Sequence, residues 1–161
     1  MKRNYSSFML VFLVLLITPG LSYSGSINSI QVPTQNGAIA LDSLKGQVIY
    51  LDFWASWCAP CKKSFPWLNQ MQSKYQSKGF KVIAVNLDKD QALARKFLIN
   101  NPARFEIGYD PEGSIASQLK VKGMPSSFLI DRNGNIKSSH VGFLEKDTGE
   151  MEKKIIELLS K

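Results

Sequence analysis

Two cysteines are the only thiols in this 161-residue chain, and both fall in Trp57-Cys58-Ala59-Pro60-Cys61. The apolar run Val48-Ile49-Tyr50-Leu51-Asp52-Phe53-Trp54-Ala55 precedes them and reads as a buried strand. The residues after Cys61 read as a helix. A C-x-x-C where a strand passes into a helix puts Cys58 at the helix N-terminus. Unpaired backbone N–H groups and the helix dipole stabilise a thiolate there. The pattern suits a pair that cycles between dithiol and disulfide. Pro60 fits the first helical turn, where a missing N–H costs nothing.

Other uses of the pair are weaker. Cross-linking a loop of about four residues removes only ~2 kcal/mol of unfolded-state entropy, against ~4–5 kcal/mol for a long loop. A structural zinc site needs four sulfur or imidazole ligands, and this chain has two cysteines and one histidine, His140. A copper carrier using Cys58, Cys61 and His140 is the alternative from a different class, because thiolates suit Cu(I). As a plain strand residue, His140 is structural.

In the redox reading Cys58 attacks and Cys61, one turn further in, resolves the mixed disulfide. Asp52 interrupts an apolar strand, where an acid is costly to bury. It is either a water-facing acid at a strand edge or a buried carboxylate behind the cysteines. In the second case it takes the proton from Cys61. Trp57 is either strand-end packing or an apolar rim against which a partner docks. Lys62 and Lys63 read as a solvated helix face. Ala59-Pro60 carries no histidine or charge that would add thiolate stabilisation, which leans toward a reductant.

The elements that position these groups follow from pattern. Ile27 to Leu41 reads as two short strands around Gln35-Asn36-Gly37, a hairpin signal. Val48 to Trp54 is the first core strand. A helix over Lys62 to Lys78 carries Phe65, Leu68, Met71 and Tyr75 on one face, with Pro66 inside it and Gly79 as its C-cap. Phe80 to Leu87 is the second core strand, and Gln91 to Asn100 is a helix with Leu93, Phe97 and Leu98 inward. Phe105 to Tyr109 is a strand and Ile115 to Leu119 a short helix. Ser126 to Asp131 and Ile136 to Val141 form a hairpin about Asn133-Gly134. Lys146 to Leu159 closes the chain as an amphipathic helix with Met151, Ile155, Ile156 and Leu159 inward. The alternation predicts an α/β fold, a central mixed sheet flanked by helices.

At the N-terminus Lys2 and Arg3 precede ten apolar residues, Phe8 to Ile17. Thr18-Pro19-Gly20 breaks the run, and Ser22 and Ser24 suit cleavage before Gly25. Residues 1–24 therefore read as a secretory signal peptide, with an uncleaved anchor as the alternative. Ten residues fall short of the about 20 that span a bilayer. Residues 25–161 read as one domain, exported to the periplasm or another extracytoplasmic space. The formal charge of +7 falls to +5 without Lys2 and Arg3, since residues 1–24 hold no acid. The remaining lysines are scattered, which argues against nucleic-acid binding.

Two separated motifs resemble a known family. Asp52-Phe53-Trp54-Ala55-Ser56-Trp57-Cys58-Ala59-Pro60-Cys61-Lys62, with Pro66 beyond, resembles the thioredoxin active-site segment. Gly123-Met124-Pro125-Ser126-Ser127-Phe128-Leu129-Ile130-Asp131 resembles the cis-proline segment of the thioredoxin fold. The N-terminal hairpin and the Asp88–Gly113 insertion narrow the likeness to the exported TlpA-like or ResA-like proteins. The resemblance covers roughly Ile30 to the C-terminus. It implies a thiol–disulfide oxidoreductase with no cofactor, acting as a monomer on disulfides of exported proteins. It also implies a membrane thiol donor that recharges the site. On its own the Met124-Pro125 step could be a trans turn. The resemblance implies a cis peptide held by Pro125, which would leave the Met124 backbone free to pair with a substrate strand beside Cys58. As a bare side chain, Met124 reads as apolar surface or as a copper ligand. Thioredoxins place an Asp at the Asp52 position and often a Lys on the next strand, at the position of Ala84. A single-cysteine peroxidase is disfavoured, because its Thr-x-x-Cys pattern is absent.

Overall fold

The computed structural model describes Ile27 and residues 29–161. The signal-peptide reading of residues 1–24 lies outside them. Seven strands form one sheet in the order β2-β1-β5-β4-β3-β6-β7. They are β1 (Gln31–Thr34), β2 (Gly37–Ala40), β3 (Val48–Trp54), β4 (Phe80–Asn86), β5 (Glu106–Tyr109), β6 (Ser126–Ile130) and β7 (Ile136–Val141). The helices are α1 (Ala59–Tyr75), α2 (Gln91–Asn100), α3 (Ser114–Gln118) and α4 (Thr148–Leu159). The sheet is mixed, as expected: β3 runs parallel to β4 and antiparallel to β6, and β4 runs parallel to β5.

Every residue of β3 is buried. That matches a central strand covered on both faces, which reads as a continuous apolar run. Side chains alternate between the two faces. Ile49, Leu51 and Phe53 join Ile83, Val85 and the α3 residues Ile115 and Ala116 on one face. Val48, Tyr50 and Trp54 point the other way, toward residues of α1, α2 and α4. Asp52 shares that second face by parity, so it lies beneath the helix that bears the cysteines.

The expected elements are present, with shifted edges. The helix after the cysteines begins at Ala59 rather than Lys62, because Cys58 itself caps it. Pro66 stands inside it, and a left-handed Gly79 (φ +82°) ends the short 3-10 turn that follows. Two expected inward residues face water, Leu93 and Ile156. On α4 the 100° step per residue puts Met151, Ile155 and Leu158 on one stripe and Ile156 off it. On α2 the same step makes Ala94, Phe97 and Leu98 the inward set.

Candidate active site

The chain leaves β3 at Trp54 and turns at once into α1. The Cys58 N–H donates to the Ala55 carbonyl at 3.1 Å, which closes the turn. Cys58 has extended backbone angles, and its Sγ accepts the Cys61 N–H at 3.3 Å. A sulfur thus occupies the N-cap place usually held by a hydroxyl or carboxylate oxygen. The two sulfurs are joined as a disulfide, with the Cα atoms 5.3 Å apart. Cys58 is 5% exposed and Cys61 fully buried. Pro60 stands exposed in the first turn, as its missing N–H allows.

Asp88, just beyond β4, pins this turn. Its carboxylate accepts the Ser56 N–H at 2.8 Å and the Ser56 hydroxyl at 2.9 Å. The Asn86 side-chain amide donates to it at 2.8 Å. The Leu87 N–H donates to the Trp54 carbonyl at 2.9 Å and ties the same two chain ends. Sequence reasoning missed Asp88. Its signal was an Asn-x-Asp at the end of a strand that runs beside the motif strand.

Asp52 is buried, 2% exposed, and its Oδ2 has no hydrogen-bond partner. Burial pushes its pKa well above the ordinary carboxylate value. The water-facing reading is therefore set aside. Opposite it stand Ala84 on β4 and Ser127 on β6. The Tyr50 hydroxyl, whose pKa burial raises and the Asp52 charge raises further, donates to Ser127 Oγ at 2.9 Å.

A second missed feature is an aromatic cluster behind the sulfurs. The Trp54 ring lies 5.0 Å from Phe65 and 4.7 Å from Phe97, and Phe65 lies 5.3 Å from Phe105. These contacts join β3, α1 and α2 and fix α2 against the active-site helix. Met124 packs against the same cluster as Cys58 and Cys61. The Met124-Pro125 peptide is cis, and the Pro125 carbonyl accepts the Gly142 N–H at 2.7 Å. Trp57 is 71% exposed, so it is no strand-end packing residue. It borders an open trough with Cys58, Lys62 and α2.

His140 is elsewhere. It stands opposite Ser127 on β7 and lines a small cavity with Tyr50, Met151 and Lys154. Among the described residues, no three His, Cys, Asp or Glu side chains are grouped to hold a metal ion. The copper site of Cys58, Cys61 and His140 is therefore not assembled, because β7 carries its histidine toward α4 rather than toward the head of α1.

A cysteine pair at the head of α1, a cis-proline turn beside it and a mixed sheet beneath define a thioredoxin-fold thiol–disulfide oxidoreductase. The chain belongs to the Redoxin family, whose profile matches residues 24–155. It is 32% identical over 130 residues to a thiol-disulfide oxidoreductase ResA of Bacillus cereus, spanning 81% of this chain and 71% of that protein. It is similar to a solved structure assigned as thiol:disulfide interchange protein DsbE from Chlorobium tepidum, at 48% identity and a TM-score of 0.81. That match covers 84% of this chain and 96% of the other. StoA from Bacillus subtilis matches at 29% identity and a TM-score of 0.68, over 82% of this chain and 98% of StoA.

Proposed function

We propose that this oxidoreductase is an exported reductase of disulfides in extracytoplasmic proteins. The observation that carries the reading is the asymmetry of the pair. Cys58 Sγ sits at the N-cap of α1 and borders an open trough, while Cys61 is fully buried one turn further in. In the dithiol form the Cys58 thiolate attacks one sulfur of a partner disulfide. A Cys58–partner S–S bond forms and the partner's other sulfur leaves as a thiolate. Asp52 takes the Cys61 proton, and the Cys61 thiolate attacks Cys58 Sγ. The Cys58–Cys61 disulfide forms and the second partner sulfur departs. The partner gains two electrons and this protein loses two.

Burial suits Asp52 to the proton step, because a raised pKa brings a carboxylate toward the range of a thiol. The Met124-Pro125 turn and Trp57 flank the attacking sulfur and offer the partner a backbone edge and an apolar rim. Ala59-Pro60 supplies no charge that would favour a strong oxidant. A membrane thiol donor would restore the dithiol. Residues 1–24 would direct export, and residues 25–161 would work as one domain and as a monomer, without a cofactor. Among the described residues no helix is long and apolar enough to cross a membrane.

The test is the Cys61→Ser variant in the native host. Cys58 still attacks, but nothing nearby releases the product, so DTT-sensitive adducts with exported proteins should accumulate on non-reducing gels. Cys58→Ser should give none. Adducts in neither variant, with wild-type protein inert toward disulfides, would overturn the reading.

A further inference from the structure

The trough beside Cys58 carries a charge pattern that thiol–disulfide exchange does not itself require. It is open, about 620 Å³, and its lining includes Trp57, Cys58, Lys62, Leu93, Lys96 and Phe97. Trp57 and Leu93 leave two large apolar side chains in water at one place, 71% and 47% exposed. Phe97 lies 4.7 Å from the Trp54 ring, which seats the α2 wall against β3. No acid is among the lining residues. Of the acids near α2 in the chain, Asp88 accepts from Ser56 and Asn86, and Asp90 accepts from the Ala92 N–H at the head of α2. Asp52, nearest to Trp57, is buried within β3. Lys62 and Lys96 are exposed, and neither has an ion-pair partner among the described residues.

We propose that this trough selects partner proteins whose reactive cysteine is flanked by an acidic segment with an apolar side chain, seated along α2 against Trp57 and Leu93. The inference rests on the reductase reading and assigns its substrate class. A partner chain attached through sulfur to Cys58 must leave along the walls nearest that sulfur, and α2 is one of them. Its apolar side chain covers Trp57 and Leu93, and its carboxylates meet Lys62 and Lys96. Rim charges of this kind act mainly on encounter rate and on rejection of basic partners. The helix that the chain inserts after β4 thereby becomes a specificity element.

The test uses the reduced protein and two synthetic peptide disulfides. Both carry the same leucine beside the cysteine, and their flanks are glutamates in one and lysines in the other. The neutral disulfide dithiodipyridine serves as the reference substrate. The acidic peptide should be reduced about tenfold faster than the basic one at low salt, as charge steering predicts. The preference should collapse near 1 M salt, where the screening length is about 3 Å. Lys96→Glu should abolish or invert the preference, and Leu93→Ser should slow both peptides. Lys137→Glu, an exposed change at the far end of β7, should leave the preference intact. Equal rates for the two peptides would overturn the inference while leaving the reductase reading standing. So would a preference that survives Lys96→Glu, or one that Lys137→Glu removes equally. Failure to reduce dithiodipyridine would sink the reductase reading itself.

Discussion

Asp52 on β3 faces Ala84 across the parallel ladder with β4, so the buried carboxylate meets a methyl group where a cation would neutralise it. Its Oδ2 has no hydrogen-bond partner either. An acid in that setting keeps its proton to a higher pH than usual, and both the stability and the chemistry of the protein inherit that dependence.

For stability the sign is definite. Burial raises the folded-state pKa of Asp52. The unfolded chain releases that proton near about 3.9. Below that pH both states are protonated and stability is full. As pH rises toward the folded value, the folded state holds a proton that the unfolded state has lost, and stability falls. Asp52→Asn should therefore gain about 1–3 kcal/mol over wild type at pH 9 and little at pH 4. Urea unfolding at the two pH values measures it. An equal effect at both would mean that Asp52 titrates as an ordinary carboxylate.

For the chemistry, the same variant should slow release of the mixed disulfide more than its formation. Resolution needs the buried Cys61 to lose a proton, whereas attack uses the Cys58 thiolate at the helix N-terminus. Stopped-flow rates of the two steps between pH 6 and 9 separate them. If both steps are unchanged, Asp52 takes no part.

Cys58 should react before Cys61. In the reduced protein near pH 7, limiting iodoacetamide should modify Cys58 first, because that sulfur borders the trough and Cys61 is closed off. Peptide mapping identifies the site. Preferential labelling of Cys61 would reverse the roles.

Asp88→Ala should cost about 2–4 kcal/mol, since it strands the Ser56 N–H and hydroxyl and the Asn86 amide. It should also lower disulfide-exchange rates several-fold by loosening the turn that presents Cys58. Asp88→Asn keeps an acceptor oxygen and should recover part of both losses. A variant as stable and as fast as wild type would show that the turn holds without it.

The legible parts were those written in local pattern. β3 announced itself as an apolar run interrupted only by Asp52, and all seven of its residues are buried. The β6–β7 hairpin announced itself by Asn133-Gly134. The cysteine pair carried its helix with it. What local pattern did not carry was pairing between distant segments. Asp88 holds Ser56 across 32 residues of chain. The Trp54–Phe97 contact joins the active-site strand to a helix whose own periodicity offered Leu93 as equally inward. Asp52 was ambiguous for the same reason. Only the neighbouring strands decide whether an acid in an apolar run faces water or a methyl group. His140 stayed open between a structural strand residue and a ligand until the fold put it opposite Ser127, in a cavity with Met151 and Lys154 of α4.

The N-terminal hairpin should depend on one missing side chain. Thr34 of β1 pairs with Gly108 of β5, and this is how the hairpin joins the sheet. A Cβ built on Gly108 would run into Val32 Cγ1 and would also touch Val85 Cγ2 at 3.5 Å. Val32 is fully buried. It is β-branched and stiff at χ1, so it cannot swing aside as a long side chain could. Gly108→Ala must therefore push β1 away from β5 or force Val32 off its rotamer, at about 1–3 kcal/mol. Because β3 and α1 lie on the far side of β4, the cysteine turn should be unaffected. Hydrogen exchange should show faster exchange at Val32 and Thr34, with alkylation of Cys58 at the wild-type rate. Unchanged protection of the hairpin, together with unchanged stability, would mean that β1 and β5 have room for the extra methyl group.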